Sequence, residues 1–509
     1  MIDQTHTAAS DALTVARLAT LTRGDYDRMR HDEAAKLGWR VETLDAEVQK
    51  ARAAARIVDD SEADRPPGFS DEALALRFTA QHKDRLRYVA AWGRWLIRDP
   101  AVWRFDETLM SFSLARAVCR QAAAECNEPK VAAAIASAKT VAAIERLAKA
   151  DRHHAATVEQ WDAMPWFLNT PRGVVDLRTG TMHPHRPDDY MTKITAVAPG
   201  GDCPLWLKFL GRITNGDAEL QAYLQRVAGY CLTGITREHA LFFGHGGGAN
   251  GKGTLLNTLV GVMGDYAAVA SMETFTASTT DRHPADLAML RGARLVAAQE
   301  TEEGRRWAEA RIKALTGGDP ITARFMRQDF FTFMPQFKLF IAGNHKPGLR
   351  NVDEAIRRRL NLIPFAVRIP PEERDPDLAE KLEAEWGSIL QWAIDGCLDW
   401  QTKRLAAPTA VTTATDDYLE AEDAIGQWIT ECCIVKGQII GGQLIKRDLH
   451  TTTAQLFGSW KSWAERAGEF VPSMKRFSQT IHGRGFDPKR QAGTGKPGFS
   501  GIEVASWSL

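Results

Sequence analysis

The sequence predicts an α/β protein built round a parallel sheet of P-loop NTPase type, with an α+β region before that core and a small domain after it. Three observations carry this expectation. A glycine-rich turn, FFGHGGGANGKGTLLN (242–257), lies between an apolar strand and a helix. Apolar strands and helices alternate from there to about Trp400. Proline-bearing breaks, SEADRPPGFSD (61–71) and RLAAPTAVTTAT (404–415), interrupt the pattern on either side.

Bulk properties narrow the class. A chain of 509 residues suggests about three domains. Its 44% hydrophobic and 25% charged content is ordinary for a globular protein and suggests neither disorder nor a membrane class. No apolar run reaches the roughly 20 residues that span a bilayer, and the first residues lack the basic start and apolar run of a secretory signal, so no membrane association and a cytoplasmic location are expected. The 64 basic and 64 acidic residues cancel, so any basic surface for nucleic acid must be local. Seven cysteines form no CxxC pair and read as reduced core fillers, while His153-His154 and His183/His185 read as surface histidines, lacking nearby partners at ligand spacing.

Taken in order, residues 1–60 carry helical spacing and form a helical leader, and 61–71 reads as a linker. An α+β domain follows over 72–204, with WGRWLI and VWRFDE as a small hairpin and NTPRGVVDLRTGTMHPHRP as two strands about the Thr179-Gly180 turn. Trp92, Trp95 and Trp103 are assigned to packing of a small sheet. The core domain spans 205–400 and begins with two helices, CPLWLKFLGRI and AELQAYLQRVAGYCLTG. A compact tail occupies 415–509.

Within the core, Leu241–Phe243 reads as a strand end and Lys252–Val262 as the helix beyond the turn. Strand, loop and helix together suit a phosphate-binding loop, whose backbone amides and helix N-terminus hold anionic oxygens. Gly246, Gly247, Gly248, Ala249, Asn250, Gly251, Lys252, Gly253 and Thr254 would surround the phosphates of ATP, with Lys252 bridging the outer ones. Position 253 ordinarily carries the hydroxyl that binds magnesium, and here it is glycine. Either Thr254 reaches the Mg2+ because Gly253 lets the loop turn further, or the ion is held mostly by downstream carboxylates and water.

Glu300, ending the strand pattern of ARLVAAQETEEG, supplies the acid expected to hold the metal's water shell and polarise the attacking water. Asn344, ending FKLFIAGN, has an amide suited to a γ-phosphate, or else forms a turn before His345-Lys346-Pro347. DEAIRRRL (353–360) carries three successive arginines, which point in different directions on a helix and cannot all serve one phosphate.

Together, G(x)4GKGT, ETEEG, KALTGGDPITAR, FIAGN and DEAIRRRLNLIPF resemble the superfamily 3 helicase core of phage and plasmid replication proteins, with the poxvirus primase-helicase a more distant relative. The resemblance covers about 205–400, and WFLNTPRGVVDLRTG and ELQAYLQRVAGYCLTG resemble the domain preceding that core. It implies an AAA+-like, ring-forming and usually hexameric ATPase, stimulated by DNA and moving along single-stranded DNA with 3′-to-5′ polarity at a fork. Lys252 matches the loop lysine, Glu300 the Walker B acid and Asn344 the sensor. Arg358, with Arg359 as second choice, matches the arginine finger that completes a neighbouring subunit's site.

Lys313–Arg324 matches the family's additional motif, which makes Lys313 and Arg324 candidate DNA contacts. ARFMRQDFFTFMP (323–335) would form the central-channel hairpin, with Arg327 beside its Gln328-Asp329 turn touching phosphate and Phe330 or Phe331 packing on sugar or base. The tail from Lys436 has eleven basic against five acidic residues and resembles the small winged-helix domain at this end of the family. Residues 1–200 show neither the acidic clusters of a primase nor a cysteine ribbon, so a primase is expected as a separate polypeptide or not at all. The implied setting is the cytoplasm of a bacterial host.

Two other classes compete. An initiator that melts an origin without travelling would use the same site, distinguished by strand displacement on a forked duplex. A ligase of the folylpolyglutamate type also has a GKG phosphate loop, but it would not need KALTGGDPITAR or the arginine-rich turn.

Overall fold

The computed structural model describes residues 11, 14–63, 66–277, 285–299, 304–324, 330–349, 352–440, 443–445, 447–491 and 493–505. The chain forms two compact units, one of Met1–Ile97 with Phe105–Thr157 and the other of Arg98–Arg104 with Val158–Leu509. The division at 157/158 falls inside the stretch expected as one α+β domain. The reason is that the meander after it packs its Leu168, Val175 and Leu177 into the core of the second unit.

In the first unit, helix Arg23–Leu37 starts where the Thr22 side chain accepts from Asp25 N and stops at Gly38, whose φ of 67° no longer continues a helix. It packs on Val41–Ala63 through Tyr26, Ala34, Leu44 and Val48. That second helix runs into the expected 61–71 linker. Ser70 then caps the next helix, Asp71–His82, by accepting from Ala73 N at 3.2 Å. Helices Asp71–His82, Met110–Glu125 and Ala138–Ala148 enclose Phe78, Val118 and Ile144.

Trp95 joins this core and donates to Glu145 at 2.6 Å, while Trp103, in the second unit, is buried and donates to the Pro187 carbonyl, so both serve packing. His154 corrects the surface assignment. It is fully buried against Phe78 and Trp95, with Nδ1 3.0 Å from the Leu86 carbonyl, whereas His153 is exposed. All seven cysteines are free thiols and six are buried.

The second unit opens with a three-strand antiparallel meander, Phe167–Thr170, Gly173–Asp176 and Thr181–His183, one strand more than its sequence suggested. Helices Pro204–Ile213 and Ala218–Leu232 follow as expected. Five parallel strands then build the central sheet in the spatial order Leu360–Pro364, Leu241–His245, Lys338–Gly343, Leu295–Gln299, Ala267–Val269. Their near-continuous apolar runs reflect burial on both faces. Helices Lys252–Met263, Ala218–Leu232 and Trp386–Lys403 contribute to one core cluster, centred on Phe242, Leu256 and Trp400.

Two cations are buried at the amino ends of the strands. Arg294 donates to the carbonyls of Leu232, Met164 and Phe167, and Lys338 to those of Thr233 and Gln336. They thereby cap the last turn of Ala218–Leu232, where cations are favourable. Burial pushes the Lys338 ammonium down to about 7.

The hairpin expected near 323–335 is present as Ile321–Ala323 paired antiparallel with Phe331–Phe333. Its turn, with Arg327 and Gln328-Asp329, lies outside the described residues.

The break expected at 404–415 does not separate the tail from the core. Helix Thr409–Ala421 packs on the edge strand: its Thr415 hydroxyl accepts from Leu362 N at 2.9 Å, and Tyr418 and Leu419 are buried beside Leu362. The tail proper begins at helix Ala424–Cys432, which packs with Thr453–Ala467 and Met474–Gly483 around Trp428, Trp460 and Phe477. Strands Pro488–Arg490 and Pro497–Ser500 pair antiparallel beyond the last helix, with His450–Thr452 on the other side of the latter. No helix among the described residues is long and apolar enough to cross a membrane.

Candidate functional site

The strand order determines where a ligand can sit. Leu241–His245 and Lys338–Gly343 are neighbours although far apart in sequence, and such a reversal in a parallel sheet opens a crevice beyond the carboxyl ends of the strands. The glycine-rich loop follows the first strand and Asn344 the second, and Gln299 ends the strand beside it. A cavity of about 310 Å³ lies among them, lined by Asn250, Lys252, Thr254, Gln299 and Asn344.

The loop owes its shape to backbone conformation. Gly251, at φ 82°, turns the chain into helix Lys252–Met263, and a Cβ there would lie 2.4 Å from Cγ2 of Ile213. At Gly246 a Cβ would meet the Phe365 carbonyl at 2.4 Å. Asn250 is buried and donates to that carbonyl at 3.1 Å, and Ile369 N donates to the Ala249 carbonyl at 2.7 Å, tying the loop to the chain beyond the edge strand. Gly253 is an ordinary helical residue, so it does not turn the loop further. That reason for Thr254 reaching the metal therefore falls away, although Thr254 does line the cavity.

Lys252 is the centre of the site. Its Nζ donates to Asn344 Oδ1 at 2.6 Å, the Gly246 carbonyl at 3.0 Å and Asn250 Oδ1 at 3.4 Å. Burial holds its ammonium below the ordinary lysine value, a shift that anionic oxygens would oppose. The structure brings Lys252, Asn344 and the loop together in one crevice.

One further side chain lines this crevice and was not anticipated. Gln299 lines the cavity, and its amide Nε2 donates to Oδ1 of Asn257 on the loop helix at 2.5 Å. Gln299 was legible as the first polar residue at the end of LVAAQ, but the neighbouring acid drew the assignment. Glu300, the next residue, lies outside the described residues.

No group of three or more His, Cys, Asp or Glu among the described residues could hold a metal alone. Magnesium bound with phosphates requires only one or two protein oxygens, and Thr254 and Gln299 offer neutral ones in the cavity. The residues fit that ion, which would neutralise phosphate charge when bound.

The arginine-rich stretch forms a single helical turn running into the edge strand, and its last two arginines differ in exposure. Asp353 caps a single turn, Glu354–Arg357, and the edge strand starts at Leu360. Arg358 is exposed. Arg359 is 7% exposed and donates within its own chain to Thr316 Oγ1 at 3.1 Å and the Ala355 carbonyl at 2.7 Å. It cannot reach another subunit without unmaking these bonds, so the second-choice finger is corrected.

Lys313 also differs from its expected role, being part-buried and paired with Asp353, which turns its charge towards the arginine-bearing turn. Arg324 lies at the hairpin with its guanidinium 4.8 Å from the Phe330 ring centre. In the tail, a cleft of about 780 Å³ opens between the starts of helices Thr453–Ala467 and Met474–Gly483, lined by Thr452, Gln455, Lys475, Gln479 and Lys496.

These features define an α/β protein whose five-stranded parallel sheet is compatible with a nucleotide-binding core. Residues 75–215 match the family described as D5 N terminal like, and residues 244–359 match a family of unknown function, DUF5906. Part of the chain thus resembles, at distant identity, the D5-like primase-helicase family. It is 28% identical over 212 residues to "Putative helicase L207/L206" of Acanthamoeba polyphaga mimivirus, covering 40% of this chain and 22% of that protein. It is 24% identical over 238 residues to "Putative helicase 022R" of Frog virus 3, covering 42% and 24%. It is 23% identical over 305 residues to "Putative primase C962R" of African swine fever virus, covering 54% and 31%. The chain therefore spans between a fifth and a third of the length of these relatives. Among solved structures, the C-terminal region of NrS-1 is similar at 11% identity and a TM-score of 0.43, over 82% of this chain and 96% of that one.

Proposed function

We propose that this chain is the ATP-driven motor of a replicative DNA helicase of the superfamily 3 type, working as a ring on single-stranded and forked DNA of a phage, prophage or plasmid. The observation that carries the reading is the convergence of Lys252 Nζ on Gly246 and Asn344 in the crevice at the strand reversal. The names of the helicase and primase relatives agree with it.

In this reading the β- and γ-phosphates of ATP replace the three oxygens that Lys252 now contacts. Asn344, released from the lysine, turns its amide to the γ-phosphate and orients the attacking water. Glu300 polarises that water, and Arg358 enters the site of the next subunit. Little covalent chemistry is asked of the protein, so placement of charge carries the rate.

The Ile321–Phe333 hairpin is the channel element, and Arg324 and Arg327 are its DNA contacts. The tail serves as a winged-helix domain: Met474–Gly483 would be its recognition helix and Pro488–Ser500 its wing. Lys475 and Lys496 on the cleft favour a phosphate backbone there. A primase would be supplied by another polypeptide.

The test measures ATP hydrolysis with and without single-stranded DNA, displacement of a labelled strand from a fork, and particle mass with nucleotide. Stimulated hydrolysis, displacement and an assembly larger than a dimer are expected. Hydrolysis without displacement would favour the origin-melting initiator, and no hydrolysis would overturn both.

A further inference from the structure

The loop helix lacks a hydroxyl at position 253, and the structure offers a neighbouring oxygen in its place. Among the described residues and beyond its own helix backbone, a Cβ built on Gly253 would approach Oε1 of Gln299, at 3.7 Å. The amide's orientation follows from its other end, since Nε2 donates to Oδ1 of Asn257 at 2.5 Å. Asn257 lies four residues beyond Gly253, one helical turn away on the same face. Gln299 is therefore held alongside the first turn of the helix, with its nitrogen engaged and its oxygen turned to the place a serine side chain would occupy.

We propose that Gln299 supplies the oxygen that position 253 lacks, as a protein partner of the divalent cation that accompanies a bound nucleoside triphosphate, with Asn257 as its positioning residue. The inference rests on the nucleotide-binding reading of the crevice. A neutral amide oxygen is a hard donor suited to magnesium. Gln299 also leaves the neighbouring acid free for the attacking water, dividing between two residues the work that one acid at a strand end would otherwise share. Gly253 follows from this arrangement, because a side chain there would reach towards the volume used by Oε1 and the ion.

The experiment measures binding of a fluorescent, non-hydrolysable ATP analogue to the full chain, first in EDTA and then during a Mg2+ titration, with melting curves to verify folding. Gln299→Ala should bind the analogue normally in EDTA and require about tenfold or more Mg2+ to reach the tight state. Asn257→Ala should move the Mg2+ midpoint the same way by less. Gln299→Glu, which keeps an oxygen in place, should retain the wild-type midpoint or lower it, and adding Gly253→Ser to Gln299→Ala should restore it. A wild-type Mg2+ midpoint in folded Gln299→Ala would overturn the proposal, as would a wild-type chain indifferent to Mg2+. Failure of the underlying reading is separate: it would show as unweakened analogue binding by Lys252→Ala in EDTA.

Discussion

Lys252 Nζ and Asn344 Oδ1 lie 2.6 Å apart although 92 positions separate them in the chain. The bond joins the loop after one strand to the tip of its neighbour, so each residue occupies the other's capacity until phosphate oxygens separate them. Lys252→Ala should lower hydrolysis by on the order of a hundredfold or more while leaving the melting temperature near wild type. Asn344→Ala should bind nucleotide but hydrolyse it slowly. Wild-type turnover in Lys252→Ala would remove the loop from the mechanism.

Glu300→Gln should retain nucleotide affinity and lose the catalytic step, because a neutral amide no longer polarises water. The check is equilibrium binding alongside single-turnover hydrolysis. Lost affinity with an intact catalytic rate would assign Glu300 to binding instead.

The two candidate arginines separate by phenotype. Arg359→Ala leaves Thr316 and the Ala355 carbonyl without their buried donor, and denaturant unfolding should report a loss of about 1–3 kcal/mol. Arg358→Ala should unfold like wild type and be inactive alone. Mixed with Lys252→Ala it should regain hydrolysis, since some interfaces then pair an intact loop with an intact Arg358. Recovery should rise with protein concentration. No recovery after demonstrated subunit exchange would place Arg358 in its own chain's site or outside catalysis.

Two glycines of the loop should respond oppositely. Gly251→Ala forces a Cβ towards Ile213 at a φ of 82°, so nucleotide binding should be lost. Gly247 has open space around its Cβ direction, and Gly247→Ala should bind within about threefold of wild type, a change of well under 1 kcal/mol. Equal losses at both positions would contradict the packing of the loop against Pro204–Ile213.

Stability should rise with pH above neutrality. Lys338 is held down to about 7 by burial, so between that value and the ordinary lysine value the unfolded chain binds the extra proton. Removing protons therefore favours the folded state across this window, and the penalty is fully present below pH 7. Denaturant midpoints at pH 7 and pH 9 should show the rise, and Lys338→Met should flatten it whatever its overall effect on stability. The buried thiols of Cys231 and Cys397, pushed up to about 12, act in the opposite sense only above pH 9.

The sequence conveyed the parallel core because strands such as LFFG and LFIA are continuously apolar and a glycine-rich turn separates strand from helix. It also brought Lys252 and Asn344 to one place. What it concealed depends on tertiary neighbours. The burial of Arg359 follows from Thr316, 43 residues away, and the pairing of Lys313 from the cap at Asp353. Gln299 was obscured because an amide at a strand end carries no chemical signature until Asn257 and Gly253 are seen beside it. The proline near 408 marked a real helix start and not a domain boundary, a distinction that proline alone cannot make.

Helix Thr409–Ala421 has a mechanical consequence. Tyr418 donates to the Pro347 carbonyl and accepts from the Trp307 indole at 3.0 Å, and Glu422, at the helix end, accepts from Leu349 N at 2.7 Å. Pro347 and Leu349 belong to the segment that leaves Asn344. The strut from which the tail hangs is thus bolted to the far end of the loop that touches the lysine, and it is braced by Thr415 against the edge strand. The tail and the segment that leaves Asn344 thus share one helix as their anchor.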